Sequence, residues 1–197
     1  MKKVLITPNT LTMSRIVMTF FFIVLMMAHG FFFKLVGAFM FFLASFTDLY
    51  DGYIARKYNL ISDFGKVMDP IADKFLMLSA FLIFVKMGII SVFVFLLIFG
   101  REIFITWMRF YAKGKGFVLA AEQFGKYKTV TQFVTVGFIL IFIVLRSASF
   151  SQDWSDVTLS RWNYTIDFFV FITVLMTLAS GVSYYMNNKD VFKNHDK

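Results

Sequence analysis

Apolar residues gather in six long runs, at roughly 10 to 29, 31 to 57, 66 to 87, 89 to 112, 126 to 147 and 163 to 186, with short polar stretches between them. Each run reaches or approaches the ~20 residues a helix needs to cross a bilayer. None shows the strict apolar/polar alternation of a barrel strand. The pattern predicts an all-α integral membrane protein with six transmembrane helices in one domain over 1–197. Two runs have shortened apolar cores: Asp69, Asp73 and Lys74 open the third, and Arg101 with Glu102 interrupts the fourth. Charges inside membrane spans are costly and face protein or water, so these positions mark candidate chemistry. The breaks at 29 to 31 and 87 to 89 each hold a glycine, Gly30 and Gly88, and predict antiparallel neighbouring helices. The segment from Ser147 to Arg161 is expected to be the one long outer loop, with Trp154 and Trp162 in the interfacial belt.

Composition sharpens this picture. At 59% hydrophobic and 16% charged residues, the chain would expose too much apolar surface as a soluble globule. With 29 Phe, 12 Met and only two Pro, long apolar helices are the natural product. There is no Cys, which excludes disulfides, iron–sulfur clusters and thiolate zinc sites. His29 and His195 lie far apart, so any metal must be held by oxygen. Met1-Lys2-Lys3 precedes an apolar run without a small-residue cleavage site, and we expect a retained first helix.

The net charge of +8 lies mainly between and beside the apolar runs, which suits anionic headgroups and no nucleic acid. The side carrying Lys2, Lys3, Arg56, Lys57, Lys113, Lys115, Lys126, Lys128, Lys189, Lys193 and Lys197 outweighs the side carrying Lys34, Lys86, Arg146 and Arg161. By the positive-inside rule, both termini are expected in the cytoplasm of a multi-pass cell-membrane protein.

Four aspartates stand at the predicted cytoplasmic ends of the second and third spans. Asp48 and Asp51 are three apart, and Asp69 and Asp73 are four apart, so each pair projects from one helical face. The polar stretch with Asn59, Ser62 and Asp63 turns the chain between them. Ionised carboxylates so grouped repel one another, and a divalent cation relieves the conflict. Oxygen ligation favours Mg2+, Mn2+ or Ca2+ over zinc or copper, and paired ions roughly 3.5 to 4 Å apart serve in-line displacement at phosphorus. The plain alternative is that these acids cap helices or pair with Arg56, Lys66 and Lys74, but four with this phasing favour the metal site.

Asp48, Asp51, Gly52, Ala55 and Arg56, followed after eight residues by Gly65, Asp69 and Asp73, fill the pattern D-x-x-D-G-x-x-A-R-x8-G-x3-D-x3-D. In this the chain resembles the CDP-alcohol phosphatidyltransferase family. All eight specified positions are occupied within 26 residues. Softer agreement with the glycerol-phosphate branch runs over nearly the whole chain: Pro8, Asn9, Leu11, Thr12 and Arg15 at the start; Arg101, Glu102 and Arg109 in the fourth span; Gly125, Lys126, Lys128, Thr129 and Gln132 in the fifth; and Ser180, Gly181, Ser183, Tyr184 and Tyr185 in the sixth. Ser183 departs from the Asp expected there.

The resemblance implies a six-helix fold, commonly a homodimer, with a polar cavity facing the cytoplasm and usually Mg2+ or Mn2+, two ions per site. It implies transfer of a phosphatidyl group from CDP-diacylglycerol to glycerol 3-phosphate, with release of CMP. Asp48, Asp51, Asp69 and Asp73 are the implied metal ligands, with Asp73 or Asp69 as general base. Asn9, Thr12, Arg15, Gly52, Ala55, Arg56 and Gly65 are implied to bind CDP-diacylglycerol. For the acceptor, the basic group Arg101, Arg109, Lys126 and Lys128 suits a phosphomonoester, whereas choline or ethanolamine would call for acidic or aromatic surroundings. Inositol phosphate and phosphatidylglycerol remain compatible with the same charges. Two other functional classes fit the sequence less well. An ion transporter would need a polar path through the other spans, and a scaffold that had lost catalysis would show broken carboxylates; the sequence has neither.

Overall fold

The computed structural model describes the backbone of residues 8–58, 63–115, 123–148 and 153–193, and the side chains of 13–47, 71–72, 74–112, 114–115, 125–148 and 153–189. The described residues form six helices and no strand: α1 (Pro8–Met27), α2 (Phe31–Tyr58), α3 (Asp63–Lys86), α4 (Val92–Gly114), α5 (Gln123–Arg146) and α6 (Asp156–Lys193). Helices α5 and α6 are each long and apolar enough to cross a membrane. The chain divides into two compact units, Met1–Phe84 with Leu140–Trp154, and Val85–Ile139 with Ser155–Lys197.

In the first unit, α1 and α2 form an antiparallel hairpin. Pro8 opens α1, where a missing N–H costs nothing and the fixed φ suits a helix. The turn is made by Gly30 at φ 107°, a conformation only glycine adopts without strain. The buried stripe of α1 is Arg15, Thr19, Phe22 and Met26, and that of α2 includes Gly37, Ala38, Phe41 and Ala44. Phe22 and Phe41 meet at 5.5 Å between ring centroids. A Cβ on Gly37 would lie 3.0 Å from Met26 Sδ, so glycine sets how closely the two backbones approach. Lys34 Nζ donates to the Met26 carbonyl, satisfying one of the acceptors left over at the end of α1.

In the second unit, α4 runs parallel to α6 and α5 antiparallel to it. Arg101 packs on Gly181, and Arg109 packs further along on Tyr184. Phe138 of α5 packs on Trp162 and Phe169, with ring centroids 5.2 Å and 5.0 Å away. Thr135 and Thr173 join α5 to α6 through a 2.8 Å hydroxyl pair. Thr135 Oγ1 also lies 3.2 Å from the Phe169 carbonyl and Thr173 Oγ1 3.3 Å from the Thr131 carbonyl; with one proton each, one hydroxyl donates to the other, which donates to its carbonyl. Where lipid offers no water, such hydroxyls bind helices by pairing with one another and with backbone carbonyls.

The observed bounds depart from the apolar runs chiefly at α6, which has 38 residues rather than the 24 of the run from 163 to 186. Ser155 accepts from the Thr158 N–H through its Oγ at 3.3 Å, and Asp156 lies in the first turn, so the helix starts on polar capping chemistry that hydropathy does not register. The expected outer loop from Ser147 to Arg161 is therefore shorter, because α6 has begun by Asp156, and Trp162 lies within α6. At the other end, Asn188 returns its Nδ2 to the Tyr184 carbonyl at 2.8 Å as the helix continues past the apolar run.

Candidate active site

Asp48, Asp51, Gly52, Ala55 and Arg56 lie on the last turns of α2, and Gly65, Asp69 and Asp73 on the first turns of α3. The helical backbone that the spacing requires is thus present on both sides of residues 59–62. The side chains of these eight residues, and those of Asn9 and Thr12 on α1, lie outside the described residues. No group of three or more His, Cys, Asp or Glu side chains suited to a metal occurs among the described residues.

Arg15 is described, and it is 1% exposed. A guanidinium that deeply buried in an apolar hairpin is costly unless polar groups receive it. The hairpin register shows what stands at its level. Met26 opposes Gly37 and Phe22 opposes Phe41, and the same antiparallel pairing carried along both helices brings Arg15 level with Asp48 and Thr12 level with Asp51. Two of the residues assigned to CDP-diacylglycerol therefore share a level with the first two aspartates.

The second unit holds the basic residues. Arg101 Nη1 lies 3.2 Å from Glu102 Oε1, and the Lys128 ammonium bonds the same carboxylate oxygen. All three side chains are at least about nine-tenths buried. One carboxylate oxygen thus gathers a guanidinium and an ammonium at one largely buried place, where charged groups interact more strongly than in water. Arg109 sits apart from this triad: its Nε donates to Tyr184 Oη at 3.2 Å, and its guanidinium lies 5.4 Å from the Tyr184 ring centre. Lys126 is exposed. Of the four basic residues assigned to the acceptor, the fold joins Arg101 and Lys128 through Glu102, gives Arg109 an aromatic partner, and leaves Lys126 at the surface.

Two buried polar residues carry no role in the sequence reading. Glu102, which the sequence marks as a charge interrupting the fourth run, joins Arg101 to Lys128. Gln132, one turn beyond Lys128, is buried and its Nε2 has no hydrogen-bond partner among the described residues. A polar residue inside an apolar run was the available signal for both.

Comparison with known proteins places these observations. The family model described as CDP-alcohol phosphatidyltransferase matches residues 5–180. The chain is 33% identical to the CDP-diacylglycerol–glycerol-3-phosphate 3-phosphatidyltransferase of Bacillus subtilis strain 168, an alignment covering 94% of this chain and 96% of that one. It is 32% identical to the protein of that name from Rickettsia typhi, covering 94% of this chain and 98% of the relative. The Treponema pallidum protein of the same name is 33% identical, over 77% of this chain and 68% of its own. The eight-position aspartate pattern, the helices that carry it and a family match spanning most of the sequence have one reading: the chain belongs to the CDP-alcohol phosphatidyltransferase family.

Proposed function

We propose that the chain transfers the phosphatidyl group of CDP-diacylglycerol to sn-glycerol 3-phosphate, giving phosphatidylglycerophosphate and CMP. The relatives that match it nearly end to end carry both substrates in their names. The observation that carries the acceptor assignment is the buried meeting of Arg101 and Lys128 on Glu102, which brings a guanidinium and an ammonium to one place. A phosphomonoester close to two negative charges at neutral pH is the complement of such a site, whereas a neutral polyol gains nothing from it.

In this reading the acceptor's primary hydroxyl attacks the phosphorus nearer the diacylglycerol. A new P–O bond forms, the bond to the CMP phosphate breaks, and the hydroxyl proton passes to a carboxylate, Asp73 or Asp69. A well-placed carboxylate contributes typically about 100- to 10,000-fold. The donor set fits Mg2+ or Mn2+, because four carboxylates at helical spacing supply only hard oxygen ligands. Asp48, Asp51, Asp69 and Asp73 would hold the ions, and a bound divalent ion neutralises the pyrophosphate and the departing phosphate. Asn9, Thr12, Arg15, Gly52, Ala55, Arg56 and Gly65 bind the CDP-diacylglycerol phosphates and nucleotide in this scheme.

The same reading makes all six helices membrane spans, with both termini and the aspartates on the cytoplasmic side and a homodimer as the assembly. The antiparallel pairings of α1 with α2 and of α5 with α6, and the parallel course of α4 and α6, are what successive crossings require. The test is CMP release and product identity with purified protein in detergent, CDP-diacylglycerol, Mg2+ and a panel of acceptors. Glycerol 3-phosphate is expected to support turnover far better than glycerol, inositol phosphate or phosphatidylglycerol. Equal use of glycerol would overturn the acceptor assignment.

A further inference from the structure

The Thr135–Thr173 pair sets the register of α5 against α6, and that antiparallel register brings Gln132 level with Thr177 to within one residue. Both face the interior: Gln132 is 4% exposed and Thr177 is 0% exposed. Neither Gln132 Nε2 nor Thr177 Oγ1 has a hydrogen-bond partner among the described residues, so they do not bond each other. Buried polar groups are nearly always satisfied, and two orphans at one level on adjacent helices mark a place where a further polar group is received.

Their neighbours indicate which group. Lys128 lies one turn from Gln132 on the same helix and is tied to Glu102 and, through it, to Arg101. Gly181 lies one turn from Thr177, and a Cβ there would come within 3.3 Å of Arg101 Cγ. Arg101 Nε is a third buried atom lacking a partner among the described residues. Cationic donors and neutral donors thus stand within one helical turn of each other in the second unit. The cations suit a phosphate. A carboxamide N–H and a hydroxyl, both uncharged, suit an alcohol oxygen that accepts from one and donates to the other.

We propose that Gln132 and Thr177 receive the secondary hydroxyl of the acceptor, next to the carbon whose phosphate is held by Arg101 and Lys128. The proposal rests on the glycerol 3-phosphate reading above. It makes Gln132 and Thr177 specificity residues that distinguish a glycerol phosphate from a phosphorylated alcohol lacking that hydroxyl. Sites built to hydrogen-bond a substrate hydroxyl reject the analogue without it, because their own polar groups are then left unpaired.

The experiment compares glycerol 3-phosphate with 3-hydroxypropyl phosphate, which lacks only the secondary hydroxyl, by CMP release from purified protein. Wild type is expected to lose about 10- to 100-fold in kcat/KM with the analogue. Gln132→Met and Thr177→Val keep the shape but remove the polar atom, and each is expected to narrow that preference to within about threefold. Both should leave the KM for CDP-diacylglycerol unchanged. Thr177→Ser keeps the hydroxyl and should retain the preference. Variants that discriminate as wild type does, or that lose both acceptors and CDP-diacylglycerol affinity together, would show a water-filled structural seam and overturn the proposal. Should one variant fail to fold, the other decides alone. Wild type inactive with glycerol 3-phosphate but active with another acceptor would instead overturn the reading of the acceptor.

Discussion

Single side chains here divide by what their charge has to meet. In the proposed reaction Asp48, Asp69 and Asp73 act through negative charge, so Asp48→Asn, Asp69→Asn and Asp73→Asn each keep the side-chain volume and are expected to abolish turnover in a protein that still inserts. CMP release at saturating Mg2+ checks this, and near-normal release by one of them would remove that residue from the site. Glu102 has a different task, since it is the only carboxylate bonded to both Arg101 and Lys128 among the described residues. Glu102→Gln removes the carboxylate that two buried cations share and is expected to destabilise the protein by about 3 kcal/mol, seen as a lower midpoint in detergent thermal unfolding. The basic residues also separate by burial. Lys128→Ala is expected to raise the KM for glycerol 3-phosphate at least about tenfold, and Lys126→Ala much less, because Lys126 is exposed and solvent screens it. Equal effects of the two would remove the triad as the anion site.

At the scale of elements, the α1–α2 hairpin depends on two glycines for different reasons. Gly30 supplies a backbone conformation, and Gly30→Ala is expected to cost about 1 kcal/mol from its positive φ. Gly37 supplies space, because its missing side chain lets Met26 and Leu25 close on α2. Gly37→Leu is expected to force the helices apart and to disturb the register that brings Arg15 level with the α2 aspartate turns. The distinguishing measurement is activity against stability across the pair: Gly30→Ala should lower the unfolding midpoint with little change in kcat/KM, while Gly37→Leu should lower both. In α6 the buried stripe Thr173, Thr177, Ser180, Tyr184 and Asn188 is polar throughout, so this helix packs through hydrogen bonds as well as apolar contact. Hydropathy averages over all its faces and does not reveal that stripe.

For the whole molecule, the proposed topology puts residues 113 to 125 in the cytoplasm and Ser151 outside. The native chain has no Cys, so single introduced cysteines report without background. Ser151→Cys is expected to react with an impermeant maleimide added to the outside of intact cells, and Lys115→Cys only after permeabilisation; the reverse pattern would put the aspartates on the wrong face for cytosolic CMP. The sequence alone determined the helical class, the approximate place of all six helices and the family, because apolar runs of membrane length and fixed spacings along a helix are properties of the linear chain. It also put Arg101 beside Glu102, where one anion meets one neighbouring cation. Only the tertiary structure decided that Lys128 joins that carboxylate from 26 residues away, that Lys126 does not, and that Gln132 comes level with Thr177. Those are choices between faces of packed helices, and a face acquires its partner only when another helix, distant in sequence, is laid against it at one particular register.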